Sequence, residues 1–308
     1  MQTLALLLKS YGEDFGYAVR MLDSFNRFNE DALHLYCVVP SSDVEQFSTL
    51  ASEHVSVIDE AALGGHLTDH EVHGIRPGYI NQEIIKLAFW ELGLAENYFC
   101  VDSDAEFIRP FRRSDFMADD HTPFTVLVED HELKIEPRYY REHWQPREQA
   151  IRRIQELVGL DDPAMRTCHG HQVFSGAVLR SFKEEFLAPR GWAYVDALEA
   201  SPYEFSWYNM WLQKARTIEI HPREPFVKVF HHEGHHLEYI LRGVTTDDIA
   251  RGYLAVVINS NYSRGMGVID AHASKAESVS RYLSYGEVWQ VVRCKVRDTV
   301  RRRLGRST

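Results

Sequence analysis

Two aspartates separated by one residue, Asp102 and Asp104, form the only Asp-x-Asp pattern in the chain. Four apolar or aromatic residues, 98–101, come directly before Asp102 and predict a buried strand. Carboxylate oxygens are the ligands that hard divalent cations prefer, and a cation at a strand end can neutralise a diphosphate. The pattern therefore predicts a Mn²⁺ or Mg²⁺ site, and a pair of turn-forming or helix-capping aspartates is the alternative.

Gln82 and Lys86 lie in the clearest helical segment, residues 79–92, which Pro77 and Gly78 precede. Apolar residues recur in this segment at helical spacing. Gln82 and Lys86 are four residues apart, so they share one face of the predicted helix. That face can either contact a ligand or remain a solvated surface.

A further acid, Glu204, stands among aromatic residues at the start of a helix, within a segment of about 192–215 that is predicted to be helical. A carboxylate beside aromatic rings is typical of sugar binding, and it can also act as a general base. Glutamate at a helix N-terminus is equally a favourable partner for the helix dipole. The sequence leaves both interpretations open.

Apolar runs alternate with amphipathic segments along the first hundred residues, which predicts a parallel sheet with crossover helices. In such sheets ligands bind at the carboxyl ends of the strands, where Asp102 lies. The fold class predicted is α/β, with a mostly parallel sheet flanked by helices and a helical C-terminal extension. Strands are predicted at 4–8, 33–39, 55–58, 98–101, 124–128, 173–179 and 226–230, and helices at 14–28, 40–52, 79–92, 146–159, 192–215 and from about 277.

Five segments in order resemble bacterial nucleotide-sugar-dependent glycosyltransferases of the GT-A fold, related to the glycogenin and galactosyltransferase group. They are residues 82–87, 98–104, 109–111, the Ser-Gly turn within 173–179, and His231 of the His-x-x-Gly pattern. The resemblance implies a GT-A-like (Rossmann-like) catalytic domain. It also implies transfer of a sugar from a nucleotide-sugar donor to a saccharide or lipid-linked acceptor, without deciding between retention and inversion.

The resemblance also assigns roles to individual residues. The catalytic domain would span residues 1–240, and residues 241–308 would form the extension. Tyr11 would stack on the base, and a half-buried surface aromatic is its alternative. The implied metal ligands are Asp102, Asp104 and His231; the implied donor-binding residues are Ser10, Tyr11, Gln82, Lys86, Asp102 and Ser103; the implied catalytic residues are Glu204 and Asp104.

Three other functions compete with this interpretation. His232, Glu233 and His236 satisfy the His-Glu-x-x-His signature of zinc metallopeptidases, although the preceding segment alternates like a strand and Gly234 weakens a helix. A haloacid-dehalogenase-like phosphatase also places Asp-x-Asp after an apolar strand, but Glu106 departs from its pattern. A non-catalytic carbohydrate-binding protein is the third alternative, and nucleotide binding discriminates it from a transferase.

The charge distribution limits the partners. The 308 residues carry a net charge of −11, which argues against a general nucleic-acid binder. Residues 281–308 instead hold eight basic and two acidic residues. This basic tail either packs its apolar side on the catalytic domain or contacts anionic lipids. With four dispersed cysteines and no long apolar segment, we expect a cytoplasmic protein, either free or peripheral at the inner face of the membrane.

Overall fold

The computed structural model describes residues 2–127, 140–141, 145–167, 170–230, 236, 239, 243–258 and 285–304. The chain divides into two compact units. The first comprises Met1–Ser103 and Pro110–Phe226, and the second comprises Asp104–Arg109 and Val227–Thr308. The boundary predicted near residue 240 falls inside the second unit.

Strands and helices are numbered in chain order. The strands are β1 Gln2–Lys9, β2 His34–Val39, β3 Val55–Asp59, β4 Ala95–Val101, β5 Ala105–Phe107, β6 Phe124–Val126, β7 Val173–Ser175, β8 His221–Arg223, β9 Val227–Phe230 and β10 Ala255–Ile258. The α-helices are α1 Phe15–Phe28, α2 Val44–Ser48, α3 Pro77–Ala88, α4 Arg113–Phe116, α5 Gln145–Val158, α6 Gly176–Ser181, α7 Tyr194–Ala200, α8 Glu204–Ala215, α9 Thr246–Ala250 and α10 Tyr285–Leu304. Short 3₁₀ or π helices occupy Gly12–Asp14, Ser41–Asp43, Glu60–His66, Phe89–Leu92, Phe182–Leu187 and Ala188–Arg190.

The main sheet of the first unit has the order β3-β2-β1-β4-β7. The first four strands are parallel, and β7 is antiparallel to β4. The chain moves outward from β1 through β2 and β3 and then returns to pair β4 with the other side of β1. This reversal is a topological switch point, where α/β sheets open a crevice at the carboxyl ends of the strands. The predicted class, a mostly parallel sheet flanked by helices, is confirmed.

Strand β1 shows why the sequence forms this sheet. Leu4, Leu6, Leu7 and Leu8 are each at most 4% exposed, so both faces of the strand are covered. A strand covered on both faces needs a continuous apolar run rather than an alternating pattern. The run therefore specifies a central parallel strand.

The helix predicted over 40–52 is α-helical only over Val44–Ser48, and two later segments also differ from the prediction. The strand predicted over 173–179 ends at Ser175, and its second half is helix α6. Gly176 begins that helix beside β4, where a Cβ would lie only 3.0 Å from the Glu96 carbonyl oxygen. The helical region predicted over 192–215 contains two helices, α7 and α8, which are separated at Pro202 because proline disfavours helix at the residue before it. Glu204 begins α8.

The second unit contains a smaller sheet of order β5-β10-β9. Strand β10 is parallel to β9 and antiparallel to β5. Phe230, Ile249 and Val256 form the buried cluster of this unit. Helix α10 supplies the predicted helical extension. Within the described ranges, no helix has both the length and the apolar character needed to cross a membrane.

Candidate functional site

The ends of β1 and β4 place the predicted residues at the switch point of the main sheet. Leu8 of β1 pairs with Val101 of β4, so the chain leaves both strands at the same level. Ser10 and Asp102 therefore follow neighbouring strands at the carboxyl-terminal end of the sheet. Asp102 directly follows β4, and the last five residues of this strand are buried, which anchors the backbone at Asp102.

A cavity of about 400 Å³ opens beside the end of β1. It brings together three of the predicted donor-binding residues, Ser10, Tyr11 and Gln82. Ser10 is 2% exposed, and its hydroxyl has no hydrogen-bond partner among the residues that the structure describes. A buried hydroxyl without a partner is costly, so a ligand that bonds to it would gain affinity. The remaining lining residues are Lys9, Pro40, Glu60, Arg76, Pro77, Gly78, Tyr79 and Asn81.

Two cations line this cavity. Lys9 is buried and its ammonium lies 2.9 Å from Glu60 Oε2. The Arg76 guanidinium carbon lies 5.6 Å from the centre of the Tyr11 ring, in a cation–π contact. Tyr11 is therefore a half-buried aromatic at the cavity with a cation beside it. A ligand with an aromatic base and a negative charge fits this lining.

Lys86 connects two acids of the predicted site. Its ammonium donates to Asp102 Oδ1 at 3.3 Å and to Glu204 Oε1 at 3.1 Å. Lys86 is 4% exposed and Glu204 is 6% exposed. The solvated-face alternative for Lys86 is therefore wrong, because α3 turns this residue toward α8 rather than toward water. For Glu204, the first residue of α8, the observed hydrogen-bond partner is Lys86.

His171 is a residue that the sequence analysis missed. Its ring Nε2 lies 3.3 Å from Asp102 Oδ2, whereas Lys86 contacts the other carboxylate oxygen, Oδ1. The residue is 5% exposed and has φ of +60°, an unusual backbone angle for a residue with a Cβ. Such strain is retained where the surroundings over-determine it, often at functional sites. His171 and its sequence neighbour His169 match no recognised site pattern, so this residue was not predicted.

Electrostatics keep Asp102 and Lys86 ionised. Burial raises the pKa of Asp102, but the Lys86 ammonium and then His171 outweigh it, so this pKa lies below its usual range. Burial lowers the pKa of Lys86, but Asp102 and then Glu204 outweigh it, so this pKa lies well above its usual range. The Asp102 carboxylate is thus available as an anion in the functional pH range.

Glu83 lies one turn before Lys86 on α3 and is 2% exposed. Burial, with repulsion from Glu204 added, raises the pKa of the Glu83 carboxyl well above its usual range, although Lys86 opposes the shift. There is therefore a pH range in which Glu83 is still protonated in the folded protein, although the same carboxyl is already ionised in the unfolded chain. No local sequence signal predicts this raised pKa, because Glu204 is distant along the chain.

Glu83→Gln is expected to stabilise the protein increasingly as pH rises. A raised folded pKa means that the folded state keeps a proton that the unfolded state loses above about pH 4.5, so the stability of the native protein falls as pH rises through that value. Glutamine keeps the shape and removes this loss. Melting temperatures from pH 4 to pH 8 measure it, and a gain of about 1 kcal/mol would appear as roughly 2 °C.

Glu185→Gln, an exposed change on the same unit, serves as the control. It should leave the melting temperature unchanged across this range. A Glu83→Gln curve parallel to that of the wild type at every pH would show that Glu83 is ionised in the folded protein.

Ser103 and Asp14 form a further contact at this end of the sheet. Ser103 Oγ donates to Asp14 Oδ2 at 3.1 Å. Burial raises the pKa of Asp14, the Ser103 hydrogen bond opposes this rise, and the nearby Asp102 charge adds to it. The predicted donor-binding residue Ser103 thus has a protein partner that sits directly before α1.

The predicted metal ligands are only partly described. Asp102 belongs to the first unit and Asp104 opens the second. His231, together with His232 and Glu233 of the alternative zinc signature, lies outside the described residues, whereas His236 is buried. Among the residues that the structure does describe, no group of three histidine, cysteine, aspartate or glutamate side chains is arranged to hold a metal ion.

The chain belongs to the family of unknown function DUF6492, whose model matches residues 4–233. The match covers the main sheet with Lys86, Asp102 and Glu204. A search of curated proteins finds no match. Solved structures similar to this chain include mouse xyloside xylosyltransferase 1 in its apo form, at 11% identity and a TM-score of 0.47, over 84% of this chain and 98% of that one. The fold described here follows from the sheet topology of the chain itself.

Proposed function

We propose that this protein is a glycosyltransferase that moves a sugar from a nucleotide-sugar donor to a saccharide or lipid-linked acceptor, with Mn²⁺ or Mg²⁺ as cofactor. The observation that carries the proposal is the placement of the cavity and Asp102 at the same end of neighbouring strands β1 and β4. An aromatic side chain, an unpartnered hydroxyl and cations line the cavity, and these groups suit a base, a ribose and phosphates. The ordered sequence resemblance to GT-A enzymes supports the same function.

The donor would lie with its base and ribose in the cavity, against Tyr11 and Ser10, and with Gln82 beside them. Its diphosphate would point toward Asp102, beyond the end of β4. Lys86 would act mainly as a positioning residue, since its ammonium already contacts Asp102 and Glu204. Glu204 would face the acceptor and bind a hydroxyl or accept its proton.

The chemistry of Asp102 fits a divalent cation. Its carboxylate is ionised, and its side chain remains 34% exposed although Lys86 and His171 contact it. Each carboxylate oxygen has a second lone pair, so these contacts leave it able to bind a cation. Asp104 and His231 would complete the ligand set on the sequence pattern alone. The cation would neutralise the diphosphate of the donor and of the leaving nucleotide.

A nucleotide screen tests the proposal. Thermal shift with UDP, GDP, CMP and dTDP, each with and without Mn²⁺, is expected to show that one nucleotide stabilises the protein in a Mn²⁺-dependent way. A ligand at a hundred times its Kd stabilises by about 2.7 kcal/mol. Tyr11→Ala should remove most of this shift, because it removes the ring at the cavity.

Tyr285→Ala is the matched control, since it removes an exposed tyrosine of the second unit. It should leave the shift unchanged. The proposal is wrong if no nucleotide or nucleotide sugar stabilises the wild-type protein under any metal condition. Stabilisation by free sugars alone would instead favour a carbohydrate-binding protein.

A further inference from the structure

Helix α10 carries a stripe of exposed apolar side chains. The exposed fractions are 97% for Tyr285, 68% for Trp289, 42% for Val292, 58% for Val296 and 47% for Val300. These residues are separated by four, three, four and four positions, so they lie along one face of a five-turn helix. These five side chains therefore form an exposed apolar stripe on α10.

The same helix is strongly basic. Residues 285–304 include six basic and two acidic residues, whereas the whole chain has a net charge of −11. Arg293 and Arg297 are exposed, and each directly follows a valine of the apolar stripe. One residue turns a helix by about 100°, so these cations border the stripe. An apolar stripe beside basic residues is typical of helices that lie in the plane of a membrane surface.

We propose that α10 docks this protein on an anionic membrane surface. The valines and Trp289 would enter the boundary between headgroups and acyl chains, and the bordering arginines would contact anionic headgroups. Tryptophan and tyrosine suit this boundary because their rings are amphipathic. The charge density of the helix argues against insertion across the bilayer, because charged residues are costly in its core.

A second copy of the chain fits this face less well. Two copies could pair through their stripes with the helices parallel or antiparallel. In one of these two orientations, Arg293 and Arg297 of one copy would face the same arginines of the other copy. Paired helices normally place opposite charges beside their apolar seam. Anionic lipid satisfies both features of the helix at once, which is why the charge pattern favours a membrane. This inference is independent of the catalytic role proposed above.

Vesicle flotation with the full chain tests the proposal. Vesicles of phosphatidylcholine alone are compared with vesicles that also contain phosphatidylglycerol, at low and high salt. We expect binding only to the anionic vesicles, with a loss in high salt because the charges are screened. Arg293→Gln with Arg297→Gln should weaken binding by roughly thirtyfold, as two basic residues near such a surface predict.

Two further variants separate the contributions. Trp289→Gln with Val296→Gln removes apolar area at no change of charge and should weaken binding to the same vesicles by at least tenfold. Arg152→Gln with Arg153→Gln makes the same charge change on α5 and should leave binding unchanged. Trp289 and Val296 are both exposed, so we expect their substitution to leave the fold intact.

The proposal is overturned if the wild-type chain fails to float with anionic vesicles at low salt. It is also overturned if the α5 control weakens binding as much as the tail variants do, because binding would then follow net charge alone. Sedimentation of the protein without vesicles tests whether the stripe instead joins two copies of the chain. A dimer that Trp289→Gln with Val296→Gln dissociates, without vesicle binding by the wild type, would assign the stripe to a second copy.

Discussion

Asp102→Asn is expected to lower sugar transfer by at least a hundredfold and to remove the Mn²⁺-dependent stabilisation by nucleotide. The amide keeps the size of the side chain and can still accept from Lys86, but it removes the negative charge that a divalent cation needs. Loss of a group that stabilises transition-state charge lowers turnover by about 10²–10³-fold. Asp104→Ala should cause a comparable loss. Donor turnover and thermal shift in the presence of Mn²⁺ measure both effects.

Asp120→Asn is a suitable control, because Asp120 is an exposed aspartate of the same unit. It should retain full turnover. Metal removal provides the second check, since EDTA should suppress donor binding in the wild type. Undiminished turnover by Asp102→Asn, or by the wild type in EDTA, would exclude a cation held by this carboxylate.

Lys86→Met is expected to destabilise the protein by about 3–5 kcal/mol, the usual cost of removing one partner from a buried ion pair. Methionine fits the space but leaves Asp102 and Glu204 without their shared cation. The larger part of this cost is expected from the Glu204 carboxylate, because Glu204 is only 6% exposed and would lose its cation while buried. Denaturation with urea at pH 7 measures the loss in free energy of unfolding.

The double variant Lys86→Met with Glu204→Gln should recover part of that loss, because it no longer buries an unpaired charge at position 204. Lys183→Met offers the comparison with a more exposed pair. Lys183 contacts Glu91 at 2.5 Å and its side chain is 37% exposed, so its loss should cost only about 0–1 kcal/mol. Equal stability of Lys86→Met and wild type would mean that the buried cluster contributes nothing to folding.

Local sequence signals predicted most of the main sheet. The leucine run of β1, the apolar run of β4 and the alternation with helices are each encoded by neighbouring residues, so pattern and period were sufficient. Their order also placed Asp102 at the carboxyl end of the sheet, whereas Ser10 was assigned to the site only through the resemblance to GT-A enzymes. The same local logic failed at Gly176, because the chain turns from strand to helix there where a glycine permits a close approach to β4.

Long-range pairing explains what the sequence did not reveal about the site. Nothing in the segment around Lys86 specifies that it is buried, since its partner Glu204 lies 118 positions further along the chain. Glu83 and His171 were missed for the same reason. Their surroundings come from elements that only the folded chain brings together.

The short strand β7 has a consequence for folding during synthesis. Strands β1, β2, β3 and β4 are all made by residue 101, whereas β7 comes only at Val173–Ser175. Until then one side of β4 has unpaired backbone groups, including the Cys100 amide that later donates to the Gln172 carbonyl oxygen at 2.9 Å. Open strand edges template aggregation. The three residues of β7 therefore cover the open edge of β4 as well as complete the sheet. During synthesis this edge stays uncovered until some seventy further residues have been made.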